Sequence, residues 1–95
     1  RIVFEGFLPQ KKGRNKRIEA LKEEDRTIVF YESPYRLVKL LHQLLETLGD
    51  RRASVSRELT KIHEETIRGN LCNLIAHFED KGVKGEIVVV VEGKR

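Results

Sequence analysis

The chain reads as one α/β domain, a mixed and roughly five-stranded sheet with helices packed on its faces. Three features predict this class. Along 95 residues, β-branched and aromatic runs alternate with segments of helical periodicity, in the order β-α-β-α-β-β-α-β. Leu37, Val38, Leu40, Leu41, Leu44, Leu45 and Leu48 recur at three- and four-residue spacing, the stripe of an amphipathic helix. Ile87–Val91 is an unbroken β-branched run, which suits a strand in the middle of a sheet. A chain of this length buries only about 60–65% of the surface its unfolded form exposes, so it holds a single modest core.

Each element follows from local sequence. Arg1–Leu8 mixes β-branched with aromatic residues and stops at Pro9, as a strand leaving a sheet does. Gln10–Arg14 is polar, basic and contains Gly13, and is expected to be a mobile loop. A helix is expected from about Asn15 to Glu24, with Ile18, Leu21 and Ala20 on its buried side. Thr27–Glu32 is the second strand, and its Ile28-Val29-Phe30 run predicts cover on both faces. Ser33 is placed to cap the leucine-rich helix, Pro34 suits its first turn, and Gly49 ends it. Ala53–Arg57 is a third strand and Glu64–Arg68 a short fourth. Leu71, Leu74, Ile75 and Phe78 mark a last helix that stops before Gly82.

Nineteen Lys and Arg against fifteen Asp and Glu leave a net charge of +4. The excess is concentrated at Lys11, Lys12, Arg14, Lys16 and Arg17, and this gradient favours a polyanionic partner, although a solvated face shows the same run. Cys72 is the only cysteine, which rules out an intrachain disulfide and a Cys-rich zinc site and fits a reducing cytoplasm. His42, His63 and His77 match no metal-ligand spacing, so no metal is expected. No apolar run approaches the roughly 20 residues of a membrane-spanning helix, and the first residues form no signal peptide. The chain lacks methionine and opens at Arg1 inside an apolar segment. It is therefore expected to be one domain of a longer protein that extends past both ends.

The richest segment is TIVFYESPYRL, Thr27–Leu37, where a strand runs directly into a helix start. Backbone N–H groups at such a junction are free to bind a ligand, and open α/β sheets place ligands there. With FEGFLPQKKGR (Phe4–Arg14), SRELTKIHEETIRGNL (Ser56–Leu71) and KGEIVVVVEG (Lys84–Gly93), it resembles the tetrapyrrole methylase superfamily. Within that superfamily it is most similar to the bacterial branch that 2′-O-methylates a cytidine ribose of 16S ribosomal RNA. The resemblance covers nearly the whole chain and corresponds to the family's C-terminal domain. The glycine-rich donor loop of the N-terminal domain has no counterpart here. The resemblance implies S-adenosylmethionine as methyl donor, held in a cleft between two domains. It further implies 16S rRNA or the small ribosomal subunit as partner, a cytoplasmic location, and a homodimer for the full-length protein.

Site residues follow by the same resemblance. Tyr31 and Glu32 map against the adenosine of the donor, together with the main chain at Leu59, the hydroxyl position Thr60, and Gly85. Many superfamily members carry Tyr-Met-Gly where this sequence has Tyr-Glu-Ser, so the contact carries over while its chemical type does not. Glu32 also suits the positive end of the following helix, and Gly85 a turn. Lys61 and Glu65 are candidates to assist removal of a ribose hydroxyl proton, or else to form ion pairs around their loop. Lys11, Lys12, Arg14, Arg17 and Arg36 form the expected RNA-binding set. Arg36 can fork onto phosphate or pair with Glu32. Relatives often carry His where Tyr35 stands, so no imidazole role carries over; Tyr35 either stacks on a ligand or is a partly buried aromatic. Two other readings remain open: a corrin or porphyrin methylase of the same fold, which the basic loop and the Ser-Pro-x-Arg block argue against, and a non-catalytic RNA-binding module.

Overall fold

The computed structural model describes residues 1–58 and 64–95, less the side chains of Glu58 and Glu64. Its elements run β1 (Ile2–Phe7), α1 (Arg14–Ala20), β2 (Thr27–Glu32), α2 (Leu37–Leu48), β3 (Arg52–Glu58), β4 (Glu64–Asn70), α3 (Leu71–Lys81) and β5 (Glu86–Val91), the order expected from sequence. The five strands form one sheet in the order β1-β2-β5-β3-β4. The last strand is thus inserted in the middle, flanked on both sides, which is why it reads as unbroken Ile and Val. β1 pairs parallel with β2, while β5 runs antiparallel to both β2 and β3. Strands β1, β2 and β3 therefore point the same way and finish at one edge of the sheet. Every connection that leaves them starts at that edge.

The sheet is covered on one face. Ile28, Val91 and Ala53 are buried cross-strand partners, as are Phe30, Val89 and Val55, and buried Ile87 lies two residues before Val89 along β5, so all seven share a face. The buried apolar residues of all three helices belong to the same core cluster, with α2 between α1 and α3. The alternate residues Val29, Val88 and Val90 are only half-buried, and Tyr31 is exposed. This corrects the expectation of a strand buried on both sides at Ile28-Val29-Phe30. The continuous apolar run reflects one packed face and one open face that is itself apolar.

Helix α2 forms because Leu37, Leu40, Leu41, Leu44 and Leu48 line one side of it, all buried. Each fully buried leucine contributes about 1.5–3 kcal/mol, which outweighs the absence of a side-chain cap at its start. The helix begins at Leu37 rather than at Pro34, another departure from expectation. Ser33 caps the preceding turn instead, its Oγ accepting the Tyr35 N–H at 3.1 Å while its carbonyl accepts the Arg36 N–H at 3.0 Å. At the start of α3, the Asn73 side chain accepts the Asn70 N–H at 2.9 Å and the Asp50 carboxylate accepts the Cys72 N–H at 2.9 Å, so two orphan donors are satisfied. Helix α1 is shorter than expected, because after Ala20 the chain tightens into i→i+3 turns. Ala20 is exposed, and Ile18 and Leu21 carry the packing. At the far end of β5 a Cβ on Gly93 would lie 2.3 Å from the Asp25 backbone, so only glycine allows the chain to pass there.

Candidate functional site

The edge where β1, β2 and β3 finish carries a cavity of about 450 Å³. Phe7 from the end of β1, Tyr31 and Glu32 from the end of β2, and the Ser33-Pro34 turn form one side. Gly85, Glu86, Ile87 and Val88 from the start of β5 form the other. Three of the residues expected at a donor site, Tyr31, Glu32 and Gly85, are thereby brought together. Gly85 has φ +89°, a left-handed conformation that favours glycine and leaves its backbone uncovered at the rim. Leu59, Thr60 and Lys61 lie outside the described residues.

Beneath the cavity lies a buried charge network. The side chains of Arg14 and Glu32 are each 4% exposed, and Arg14 Nη2 donates to Glu32 Oε1 at 2.8 Å. Arg14 also donates from Nη1 to the Pro9 carbonyl at 3.1 Å and from Nε to Gln43 Oε1 at 2.8 Å. Glu32 Oε2 accepts the Ser33 N–H at 2.9 Å and Arg36 Nε at 3.3 Å. The carboxylate thus receives a backbone donor and two guanidinium groups, so both of its buried oxygens are hydrogen-bonded. The network ties α1, β2 and α2 together directly under the site.

This arrangement corrects one expectation and sharpens others. The sequence places Arg14 among the phosphate-binding cations of a mobile loop, but it opens α1 and is buried, with its charge already neutralised by Glu32. Long polar side chains bury only when paired, and in a basic run the sequence offers no sign of which member is paired. Arg17 forms an ion pair with Glu5, which holds its pKa above the usual arginine value, chiefly through the hydrogen bond between them. Lys11, Lys12 and Lys16 are exposed and have no acidic partner among the described residues. The loop that bears Lys11 and Lys12 leaves β1 at the cavity edge. Arg36 is one-third exposed and pairs with Glu32 at 3.3 Å, the ion pair that was one of its two sequence alternatives. Tyr35 is 96% exposed, not the partly buried aromatic that one reading allowed. Glu65 pairs with Arg57 at 2.6 Å across the β3–β4 ladder and does not line the cavity.

Phe7 escaped the sequence reading. It is 70% exposed at the mouth of the cavity, and its ring packs against Tyr31 with centroids 5.3 Å apart. The available signal was an aromatic residue at a strand end, immediately ahead of Leu8-Pro9 and the basic run.

Comparison with known proteins places these features in context. No protein-family model matches the chain. It is 49% identical over 94 residues to ribosomal RNA small subunit methyltransferase I of Thermotoga maritima, covering 99% of this chain and 42% of that protein. The corresponding values are 48% over 93 residues for the Bacillus subtilis protein of the same name, with 97% and 32% covered. For the Mycobacterium tuberculosis protein they are 50% over 95 residues, with 98% and 33% covered. The chain thus spans less than half the length of the curated relatives it matches. Among solved structures, a cobalamin biosynthetic enzyme, cobalt precorrin-4 methyltransferase, superposes with a TM-score of 0.69 at 14% identity, over 95% of this chain and 40% of that one. The methyltransferase CobJ gives 0.68 at 18% identity, over 99% and 43%. At such identities these two matches show the shared fold alone.

Proposed function

Starting from its homology, along nearly the whole chain, to part of ribosomal RNA small subunit methyltransferase I, we propose that this chain is the C-terminal, substrate-facing domain of a two-domain methyltransferase acting on the ribose 2′-oxygen of a nucleotide in 16S ribosomal RNA. The observation that carries the reading is the 45–50% identity to proteins of that name in distant bacteria, over 95–99% of this chain.

The chemistry of the cavity fits one side of S-adenosylmethionine. Phe7, Tyr31, Pro34 and Val88 supply apolar surface for a flat base, and Gly85 supplies uncovered backbone. A volume of about 450 Å³ lies in the range of small-molecule sites. The donor supplies a methyl group already activated on a sulfonium centre. What remains for this chain is to orient the adenosine, exclude water and position RNA. Glu32, with both oxygens already engaged by Arg14, Arg36 and the Ser33 N–H, holds the cavity floor and fixes Arg36 at its edge. Lys11, Lys12 and Lys16 attract phosphate, each neutralised phosphate releasing condensed counterions. By the family resemblance, Leu59 and Thr60 are proposed for the donor side and Lys61 as a candidate to assist proton removal. The full-length protein is proposed to work as a cytoplasmic homodimer.

The test is methyl transfer by the full-length protein. Small ribosomal subunits that lack the modification, incubated with the protein and S-adenosylmethionine, should gain one ribose methyl group, located by nuclease digestion and mass analysis. Transfer to a corrin or porphyrin and not to the subunit would reverse the assignment of acceptor. The domain alone should bind the donor far more weakly than the full-length protein in calorimetric titration, because one wall of a cleft leaves the ligand largely in water.

A further inference from the structure

The open face of the sheet is organised in two rows. One runs Phe4–Val29–Val90–Ser54–Arg68 and the other Phe7–Tyr31–Val88–Ser56–Thr66, each step a cross-strand pair. Both pass from aromatic or apolar residues on β1, β2 and β5 to hydroxyls and a guanidinium on β3 and β4. Phe4 and Phe7 are 62% and 70% exposed, and both rings pack against Tyr31, at centroid distances of 5.1 and 5.3 Å. Phe4 meets Tyr31 edge-on, with an interplanar angle of 80°. The ladder Phe4–Tyr31–Phe7 is continuous with the cavity, whose mouth Phe7 and Tyr31 line.

Exposed aromatic rings cost solubility and gain nothing for folding, so their alignment toward a cleft calls for an occupant. The geometry points to this ladder, from Phe4 outward, as a stacking platform for unpaired bases of the substrate RNA, those flanking the nucleotide whose ribose is presented to the donor in the cavity. The inference rests on the ribosomal RNA reading given above. Unpaired bases stack on aromatic side chains presented by an open sheet whatever their sequence, because every base has a π-face. The polar ends of the rows suit the rest of a nucleotide. Ser54, the hydrogen-bonded Ser56–Thr66 pair and Arg68 offer hydroxyl and guanidinium groups to ribose and phosphate. A second copy of the chain laid over this face is the less favoured occupant. Dry sheet-on-sheet packing would bury Ser54, Ser56, Thr66 and Arg68 against apolar rings, and it would cover the Phe7 and Tyr31 mouth through which ligands enter.

The experiment uses the full-length protein carrying Phe4→Leu, which keeps apolar bulk and removes the π-face, and Phe4→Trp, which enlarges that face. Phe4 lies outside the cavity lining, so donor binding reports on the fold and RNA binding on the platform. An unpaired RNA oligonucleotide containing 2-aminopurine is titrated by anisotropy and by quenching of the reporter base. Phe4→Leu should weaken RNA binding by about tenfold and abolish part of the quenching. Its titration with S-adenosylmethionine and its sedimentation should match the unaltered protein, and Phe4→Trp should restore both RNA readouts. Unaltered RNA affinity in Phe4→Leu, with the unaltered protein binding RNA normally, would overturn the platform and leave the ribosomal RNA reading intact. Dissociation of an oligomer by Phe4→Leu would likewise overturn it and assign the face to a second copy. Absence of RNA binding by a donor-competent unaltered protein would overturn the ribosomal RNA reading itself.

Discussion

The two faces of the sheet are built from alternate residues of the same strands, yet they do opposite work. On the covered face, Phe30 sits between Gly6 and Val89 at no measurable exposure; on the open face, one residue along, Tyr31 sits between Phe7 and Val88 and reaches solvent. Side chains alternate along a strand with period two, so one short segment can commit half its residues to the core and present the other half to a ligand. Glu32 closes the series on the covered side, where its buried charge is matched by Arg14. Stability is concentrated on one face, and the recognition proposed above falls to the other.

The largest expected effects test the covered face. Phe30→Ala should destabilise the domain by about 3–5 kcal/mol, since it opens a cavity in a core with no slack. Glu32→Ala should cost a similar amount, about 3–5 kcal/mol, because it leaves the Arg14 guanidinium buried without its counter-charge. Replacing both partners, Arg14→Met with Glu32→Leu, should recover most of that loss, since a well-packed apolar pair removes two desolvation penalties together. Urea unfolding of the three variants decides the matter. If Glu32→Ala unfolds at the same midpoint as the unaltered domain, the ion pair is solvated in solution and the two faces differ less than their burial indicates.

A smaller effect tests the open face. Phe4→Ser should change stability by no more than about 1 kcal/mol, although it removes the same ring as Phe30→Ala, because that ring is mostly in water in the folded state already. A loss comparable to that of Phe30→Ala would mean that the face is covered in solution, and the contrast between the two faces would collapse.

The legibility of the molecule in its sequence follows the same division. Periodicity and β-branched runs located the elements because core packing imposes both: the leucine spacing of α2 and the Ile87–Val91 strand could hardly have been read otherwise. The single-sided cover of the sheet was not legible, since valines and aromatics on a ligand-facing surface carry the same hydrophobic signature as valines in a core. Long-range charge pairing was hidden for another reason. Arg14 and Glu32 are eighteen residues apart, and their meeting depends on the parallel pairing of β1 with β2, which no local pattern encodes. Pairing at short range was easier to foresee, as with Glu32 and Arg36, four residues apart. The strand-end residues Tyr31, Glu32 and Gly85 came from family resemblance, whereas Phe7 required the fold.

The smallest effect on stability is expected from the cations that the fold leaves unpaired. With Arg14 buried and Arg17 held by Glu5, the phosphate binding proposed for the basic run falls to Lys11, Lys12 and Lys16. Replacing these three by Ala should leave the unfolding midpoint unchanged within error, because exposed charges contribute little to folding. Their effect should emerge in the salt dependence of RNA binding by the full-length protein, where the loss of three phosphate contacts lowers the log–log slope by roughly two to three units. Arg14→Ala should give the opposite pattern, a large loss of stability with a slope near the original in whatever fraction stays folded. If Arg14→Ala flattens the slope while the three lysine replacements do not, the buried guanidinium must reach RNA in the complex. The Glu32–Arg14 pair would then be a latch that opens on binding rather than a fixed floor beneath the cavity.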